Sequence, residues 1–190
     1  AASDVYKRQV EKDTLQINTK LLKKINLENV SAICVPNLVG NIANWLEIYN
    51  FAKQNNLKII EDSADTVGYE YETSLSNWSD ISTTSFYASH VITGAGFGGM
   101  VCFNDKKNYE LALSLRGWGR RSSLYKNSED YERRFESKID GMDYDDKYIF
   151  DDIAYNFLPS EISAAFALIQ LKKLGKNLEK RIHNFSFLEK

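Results

Sequence analysis

An α/β fold, a mostly parallel sheet covered by helices, is predicted by three features of the sequence. Two apolar runs, Ser31–Val35 and Leu57–Ile60, have the length of buried strands. A stretch with helical periodicity lies between them, and the connections at both joints are short. Strand, crossover helix and strand joined this closely make a βαβ unit, which forces its two strands to run parallel. The 190 residues, 43% hydrophobic and 26% charged, suffice for one domain with a full core. A formal net charge of −2 gives no electrostatic reason to expect nucleic acid or an anionic membrane as partner. No run approaches the roughly 18 apolar residues of a membrane span, and no charged-then-apolar leader opens the chain.

Each element has its own signal. Pro36 ends the first strand, and from Asn41 onward Ile42, Trp45, Leu46, Tyr49 and Ala52 recur at helix spacing until Asn55-Asn56 stops the pattern. Ser82–Tyr87 and Met100–Asn104 read as further strands, followed by a helix near Asn108–Arg116. Glu129–Asp152 carries ten acidic residues among aromatics and one glycine, and reads as a long excursion with little regular structure. Regular pattern resumes at Ser160, a suitable N-cap, with Ile162, Phe166, Ile169 and Leu174 forming an apolar stripe. Gly175 interrupts that stripe, and a shorter helix from Leu178 to about Phe187 is expected after it. Cys34 and Cys102 lie in strand-like runs and are expected to be buried and reduced, which points to a cytoplasmic compartment. Both ends look cut. Ala1–Gln9 is set aside as a non-native scar, Ser3–Gln9 resembling a translated transposon-end adapter, and Phe185–Lys190 stops without a helix terminator. An internal piece of a longer protein is the expectation.

The chemistry concentrates between Leu57 and Phe103. The first strand–turn places Asp62 just after an apolar run, followed by Ala64 and Asp65; the second places Ser85 and then His90 ahead of Gly94–Gly99. In an open α/β sheet, ligands bind beyond the carboxyl ends of strands, where both groups fall. A carboxylate after one strand, with a serine and a basic side chain after another, is the layout of a pyridoxal-phosphate site. The cofactor is an electron sink only while its ring nitrogen stays protonated, and a carboxylate in hydrogen-bond reach favours that form. Asp65 stands one short turn on, where it could meet the ring hydroxyl, and Ala64 is small enough to lie against the ring face. Ser85 would bond the phosphate ester while the basic residue faces the reacting carbon. A lysine is expected at that last position. His90 holds it instead, in a segment free of Lys and Arg from Ile59 to Asp105. Taken singly, Asp62 also fits an ordinary polar strand end, and His90 an ordinary structural histidine.

Other motifs carry less. Gly94–Gly99 superficially suggests a dinucleotide fingerprint, but that motif must open a helix, and here a strand-like run, Met100–Phe103, follows. Arg116, Arg120 and Arg121 fit either a diphosphate contact or a solvated face. Asp143, Asp145 and Asp146 lack the glycine and closing Glu of an oxygen-ligand metal loop. His183 reads as structural.

At these residues the chain resembles the nucleotide-sugar aminotransferases of the DegT/StrS type, a branch of the fold-type-I pyridoxal-phosphate enzymes. The stretches that carry the resemblance are Val35–Asn41, Glu61–Gly68, Ser85–Gly99, Trp118-Gly119-Arg120 and Tyr155-Asn156 with Ala164-Ala165 and Gln170-Leu171. The resemblance implies the central part of the large domain: residues 10–128 as a partial cofactor-binding domain, 129–157 as the excursion, and 158–190 as a helical segment leading toward a further domain. It implies Asp62 on the pyridine nitrogen, Asp65 where the family often has Gln, and Ser85 on the phosphate. It implies Asn156 reaching the phosphate of the neighbouring subunit's cofactor, hence a homodimer with a shared active site.

His90 in the lysine position is the departure, and it resembles the sugar 3-dehydratases of this family. They remove the carbon-3 hydroxyl from a nucleotide-linked 4-keto-6-deoxyhexose, using the amine form of the cofactor, pyridoxamine phosphate, without a covalent bond to the protein. A neutral imidazole can act as the base near neutral pH, whereas a lysine would also capture the aldehyde. The version of that dehydratase with an iron–sulfur cluster carries cysteines where this chain has Ser122, Ser123 and Ala64, so no cluster is expected. The resemblance thus implies a role in O-antigen or other surface-polysaccharide biosynthesis. An aminotransferase acting on a keto sugar nucleotide, and a non-catalytic relative, remain the alternatives, and no residue here reads the nucleotide base.

Overall fold

The computed structural model describes residues 7–67 and 78–189, so the expectations for Ala1–Tyr6, Gly68 and Lys190 lie outside the described residues. The chain forms two compact units, one of Ala1–Cys102 with Ser160–Lys190 and one of Phe103–Pro159.

The first unit is built on the expected βαβ pattern. Strand β1 (Ala32–Pro36) leads through a single 3-10 turn at Leu38–Gly40 into helix α1 (Trp45–Gln54) and then β2 (Lys58–Asp62). The two strands are parallel, with Ala32 opposite Lys58 and Pro36 opposite Asp62. Strand β3 (Ile81–Ser85) adds to β2 in parallel, Asp62 lying opposite Thr83, and β4 (Gly99–Phe103) completes a sheet of order β1-β2-β3-β4. Helix α1 starts later than its apolar pattern because Asn44 caps it, accepting the Glu47 N–H at 3.3 Å. Its buried residues Trp45, Ile48 and Ala52 recur at helical spacing and pack on Val35, Leu57 and Ile59. Ile48 and Trp45 are fully buried. Burial of each such side chain stabilises by about 1.5–3 kcal/mol.

The strands alternate faces, and this corrects the expectation for the cysteines. Val35, Ile59 and Glu61 point toward α1, so Cys34 falls on the other face, where it is exposed; Cys102 is exposed in β4 as well. Both thiols are free. The Cys34 thiol is pushed up by its partial burial and by the carboxylate of Asp62.

Helices α4 (Glu161–Lys172) and α5 (Leu174–Leu188) close this unit. Here the structure departs from the sequence pattern. The second helix begins at Leu174, takes Gly175 into its first turn and is the longer of the two. Ser160 occupies the N-cap position but makes no capping hydrogen bond from its side chain.

The second unit holds helix α2 (Lys106–Arg116), a single-turn helix α3 (Tyr131–Arg134) and an antiparallel hairpin of β5 (Ser137–Ile139) and β6 (Met142–Tyr144). The excursion is therefore more regular than its composition suggested. Asp140 and Gly141 both take positive φ, 52° and 80°, the requirement of a two-residue hairpin turn of the primed type. The acidic residues are largely committed to partners. Asp145 binds Arg134, Glu129 meets Arg134 and Lys147, Asp151 takes both ends of the Arg121 fork at 2.7 and 3.1 Å, and buried Asp146 accepts the Tyr125 hydroxyl. Among the described residues no helix is long and apolar enough to cross a membrane.

Candidate functional site

The site grows from the carboxyl ends of β2 and β3. Alternation along β2 sends Glu61 into the core and Asp62 to the opposite face. Glu61 is buried among donors: the Asn37 side-chain amide at 3.0 Å, the Ser79 hydroxyl at 3.1 Å and the Ser63 hydroxyl. Asn37 in turn accepts the Ala43 N–H at 3.1 Å and the Trp45 indole N–H at 3.0 Å. This buried polar cluster ties the loop after β1, the start of α1 and the turn after β2 to one another. It holds the backbone from which Asp62, Ala64 and Asp65 project.

The turn itself is shaped by Asp62, whose carboxylate accepts the Ala64 N–H at 3.1 Å. Ser63 N–H donates to the Thr83 carbonyl at 2.8 Å, and the Thr84 hydroxyl donates to the Ser63 carbonyl at 3.1 Å, so the turn is stitched to β3. Asp65 accepts the Val39 N–H at 3.1 Å.

After β3 the chain folds into a tight glycine-rich turn. Phe86 N–H donates to the Gly98 carbonyl and Gly94 N–H to the Phe86 carbonyl. Gly94 is required by close approach: a Cβ there would lie 2.3 Å from the Phe97 carbonyl oxygen. The segment then enters β4 and not a helix, so the dinucleotide reading has no structural basis. Ser85, at the end of β3, accepts the Tyr87 N–H at 3.2 Å, which leaves its hydroxyl hydrogen available to a ligand oxygen. The turn delivers His90 against the preceding one. Its Nδ1 lies 2.9 Å from the Ala64 carbonyl oxygen and 3.4 Å from a carboxylate oxygen of Asp65.

Asp62, Ala64, Asp65, Ser85 and His90 thus gather at adjacent strand ends of one unit. Asn156 belongs to the other unit, where it is exposed and its backbone pairs with Gly117. Of the arginines considered for a diphosphate, Arg121 is held by Asp151, Arg120 lies over the Trp118 ring at 4.4 Å, and Arg116 is exposed. Asp143 and Asp145 are likewise taken by Lys138 and Arg134, and among the described residues no group of His, Cys, Asp or Glu is arranged to hold a metal ion. His183 lies exposed on α5.

Sequence reasoning missed Asn37, Glu61 and Ser79. The signal was present: an acidic residue one place before Asp62 must, by alternation, share the face of Ile59, and a buried carboxylate needs donors.

The residues present fit pyridoxal phosphate. Asp62 offers a partly exposed carboxylate, Ala64 a small surface, Ser85 a free hydroxyl hydrogen and His90 an imidazole within the same turn pair.

Several known proteins are similar to this chain. The chain is 32% identical over 184 residues to the lipopolysaccharide biosynthesis protein RfbH of Salmonella typhimurium, covering 95% of this chain and 42% of that protein. It is 32% identical over 170 residues to the dTDP-4-dehydro-2,6-dideoxy-D-glucose 3-dehydratase of Saccharopolyspora spinosa, covering 87% of this chain and 37% of the relative. Transaminases stand among the relatives too, such as the UDP-4-amino-4,6-dideoxy-N-acetyl-beta-L-altrosamine transaminase of Campylobacter jejuni, at 30% over 179 residues, 94% of this chain and 42% of that one. The solved E. coli GDP-4-keto-6-deoxy-D-mannose-3-dehydratase with bound hydrated PLP superposes with a TM-score of 0.76 at 27% identity, over 94% of this chain and 45% of the other. The chain spans less than half the length of these relatives. The fold is that of fold-type-I pyridoxal-phosphate enzymes over part of their length. With residues 4–190 matching the family's model, the chain belongs to the DegT/DnrJ/EryC1/StrS aminotransferase family.

Proposed function

We propose that the full-length protein is a sugar-nucleotide 3-dehydratase, removing the carbon-3 hydroxyl from a nucleotide-linked 4-keto-6-deoxyhexose in lipopolysaccharide or O-antigen biosynthesis, in the cytoplasm. The observation that carries the reading is His90. An imidazole, held by the turn after β2, takes the place where the family's covalent lysine is expected. Bound at this site, pyridoxal phosphate in its amine form supplies an electron sink that makes loss of a hydroxyl next to a ketone accessible.

This chain's residues do the rest. Asp62 keeps the ring nitrogen protonated, Ala64 leaves room for the ring and Ser85 donates its hydroxyl hydrogen to the phosphate. With the cofactor and substrate bound, His90 would take a proton at the reacting carbon and return it to the departing hydroxyl, which leaves as water. Asn156 contributes to the phosphate site of a partner subunit in a homodimer. Ser122, Ser123 and Ala64 offer no thiolate, so the site takes no iron–sulfur cluster. The transaminase relative supports a second reading, transfer of an amino group to the keto sugar with His90 as an unusual base.

The cofactor bond tests the assignment. Borohydride reduction of the full-length enzyme with pyridoxal phosphate should leave no pyridoxyl group on this segment by mass spectrometry, and His90→Lys should create one while suppressing dehydration. An adduct on a lysine of the native site contradicts the non-covalent model.

A further inference from the structure

The contacts of His90 specify more than its presence. A carbonyl oxygen can only accept, so the 2.9 Å approach of His90 Nδ1 to the Ala64 carbonyl requires the hydrogen to sit on Nδ1. The nearer oxygen of Asp65, 3.4 Å from the same nitrogen, asks for the same arrangement. In the neutral ring this leaves the lone pair on Nε2.

Asp65 is itself held from behind. Its second oxygen accepts the N–H of Val39, a β-branched residue at φ 57°, in the left-handed region that such side chains avoid. The neighbouring Leu38 is clamped at both backbone groups by buried Gln16, whose amide donates to the Leu38 carbonyl at 3.0 Å and accepts its N–H at 3.4 Å. A strained residue persists only where its surroundings over-determine it. Here those surroundings aim an N–H at Asp65. The run of contacts is Gln16, Leu38, Val39, Asp65, His90, with one Asp65 oxygen accepting the Val39 N–H and the other lying 3.4 Å from the ring nitrogen that donates to Ala64.

We infer that Asp65 is a positioning residue that, with the Ala64 carbonyl, locks His90 as the Nδ1–H tautomer, so that Nε2 is the nitrogen that exchanges the proton. The inference rests on His90 as the base of the reaction proposed above. It replaces the expected contact of Asp65 with the cofactor's ring hydroxyl by one with the imidazole. An asparagine at 65 has one acceptor and one donor, and so must set a donor against either Val39 N–H or His90 Nδ1–H.

Two measurements on the full-length holoenzyme test it. In 15N-labelled protein, long-range proton–nitrogen spectra of the neutral His90 ring, assigned by their loss in His90→Gln, should show the hydrogen on Nδ1; a hydrogen on Nε2 overturns the tautomer. With GDP-4-keto-6-deoxymannose as probe, Asp65→Asn should lower kcat about 10- to 100-fold, the size typical of an outer partner that orients a working group, with KM and cofactor affinity within about threefold. Native kcat in Asp65→Asn, or a loss of cofactor affinity matching the loss of kcat, overturns the positioning role. Native turnover in His90→Gln instead overturns the base assignment itself, and the ring spectrum still decides the tautomer.

Discussion

In the function proposed, His90 is the residue on which the chemistry turns, because a lysine at the same position would hold the cofactor covalently. Its replacement by Ala or Asn should leave cofactor affinity nearly intact while turnover falls by about 10²–10⁴, the usual contribution of a general base. A steady-state titration beside a spectroscopic cofactor titration separates the two quantities. Asp62 makes the complementary prediction. Asp62→Asn keeps the shape and the hydrogen bond from Ala64 N–H but removes the charge that, in the function proposed, favours a protonated ring nitrogen. Weaker cofactor binding together with loss of the chemical step is expected, and normal turnover with cofactor bound removes Asp62 from the pyridine contact. The places of both side chains were legible in the sequence, Asp62 as the last residue of β2 and His90 in the turn that follows β3. The lock on His90 was not. It depends on two carbonyl and carboxylate groups 25 or more positions earlier in the chain, which only the pairing of β2 with β3 brings near.

At the scale of elements, the sheet and α1 follow from hydrophobic periodicity, and their ends differ from expectation by a few residues where side-chain caps intervene. Asn44 and Asn37 decide where α1 begins, and neither has an apolar signature. The hairpin of β5 and β6 escaped a reading based on acidic composition, although Asp140-Gly141 is the turn dipeptide that specifies it. The cysteines were misplaced because a short apolar run does not state which of its residues face a covering helix. The buried cluster around Glu61 predicts an outcome. Glu61→Ala removes the acceptor of three hydrogen bonds, from the Asn37 amide and the Ser63 and Ser79 hydroxyls, and should cost about 3 kcal/mol in denaturant unfolding, at about 1 kcal/mol for each bond lost. Val39→Gly should run the other way. Val39 is 68% exposed and sits at φ 57°, so glycine relieves strain at little loss of packing. The expected change is from neutral to about 1 kcal/mol stabilising, where glycine at an ordinary position costs about 0.5–1 kcal/mol.

At the scale of the whole molecule, the Phe103–Pro159 unit holds several ion pairs and, among the described residues, no fully buried apolar side chain, and its pH response follows. The hydrogen bonds from Arg134 hold the Asp145 carboxyl below its ordinary range, and those from Arg121 do the same for Asp151. Carboxyls depressed in the folded state contribute stability above their unfolded pKa, near 4, and lose it as pH falls through the folded value. Asp145→Asn should therefore lower the thermal midpoint at pH 7, and the difference from the native protein should shrink below pH 4. Tyr125 has the opposite sign. Burial, then its hydrogen bond to Asp146, push its hydroxyl from 10 up to about 12, so its contribution is complete below pH 10 and lost on rising toward 12. The central claim is the reaction, and product analysis tests it most directly. The full-length enzyme is to be incubated with pyridoxal phosphate, L-glutamate and a 4-keto-6-deoxyhexose linked to GDP or to dTDP, and the sugar read by NMR and mass spectrometry. The account predicts a keto sugar that has lost its carbon-3 hydroxyl, with ammonia released. A sugar bearing a new amino group at carbon 4, with its carbon-3 hydroxyl intact, would contradict it.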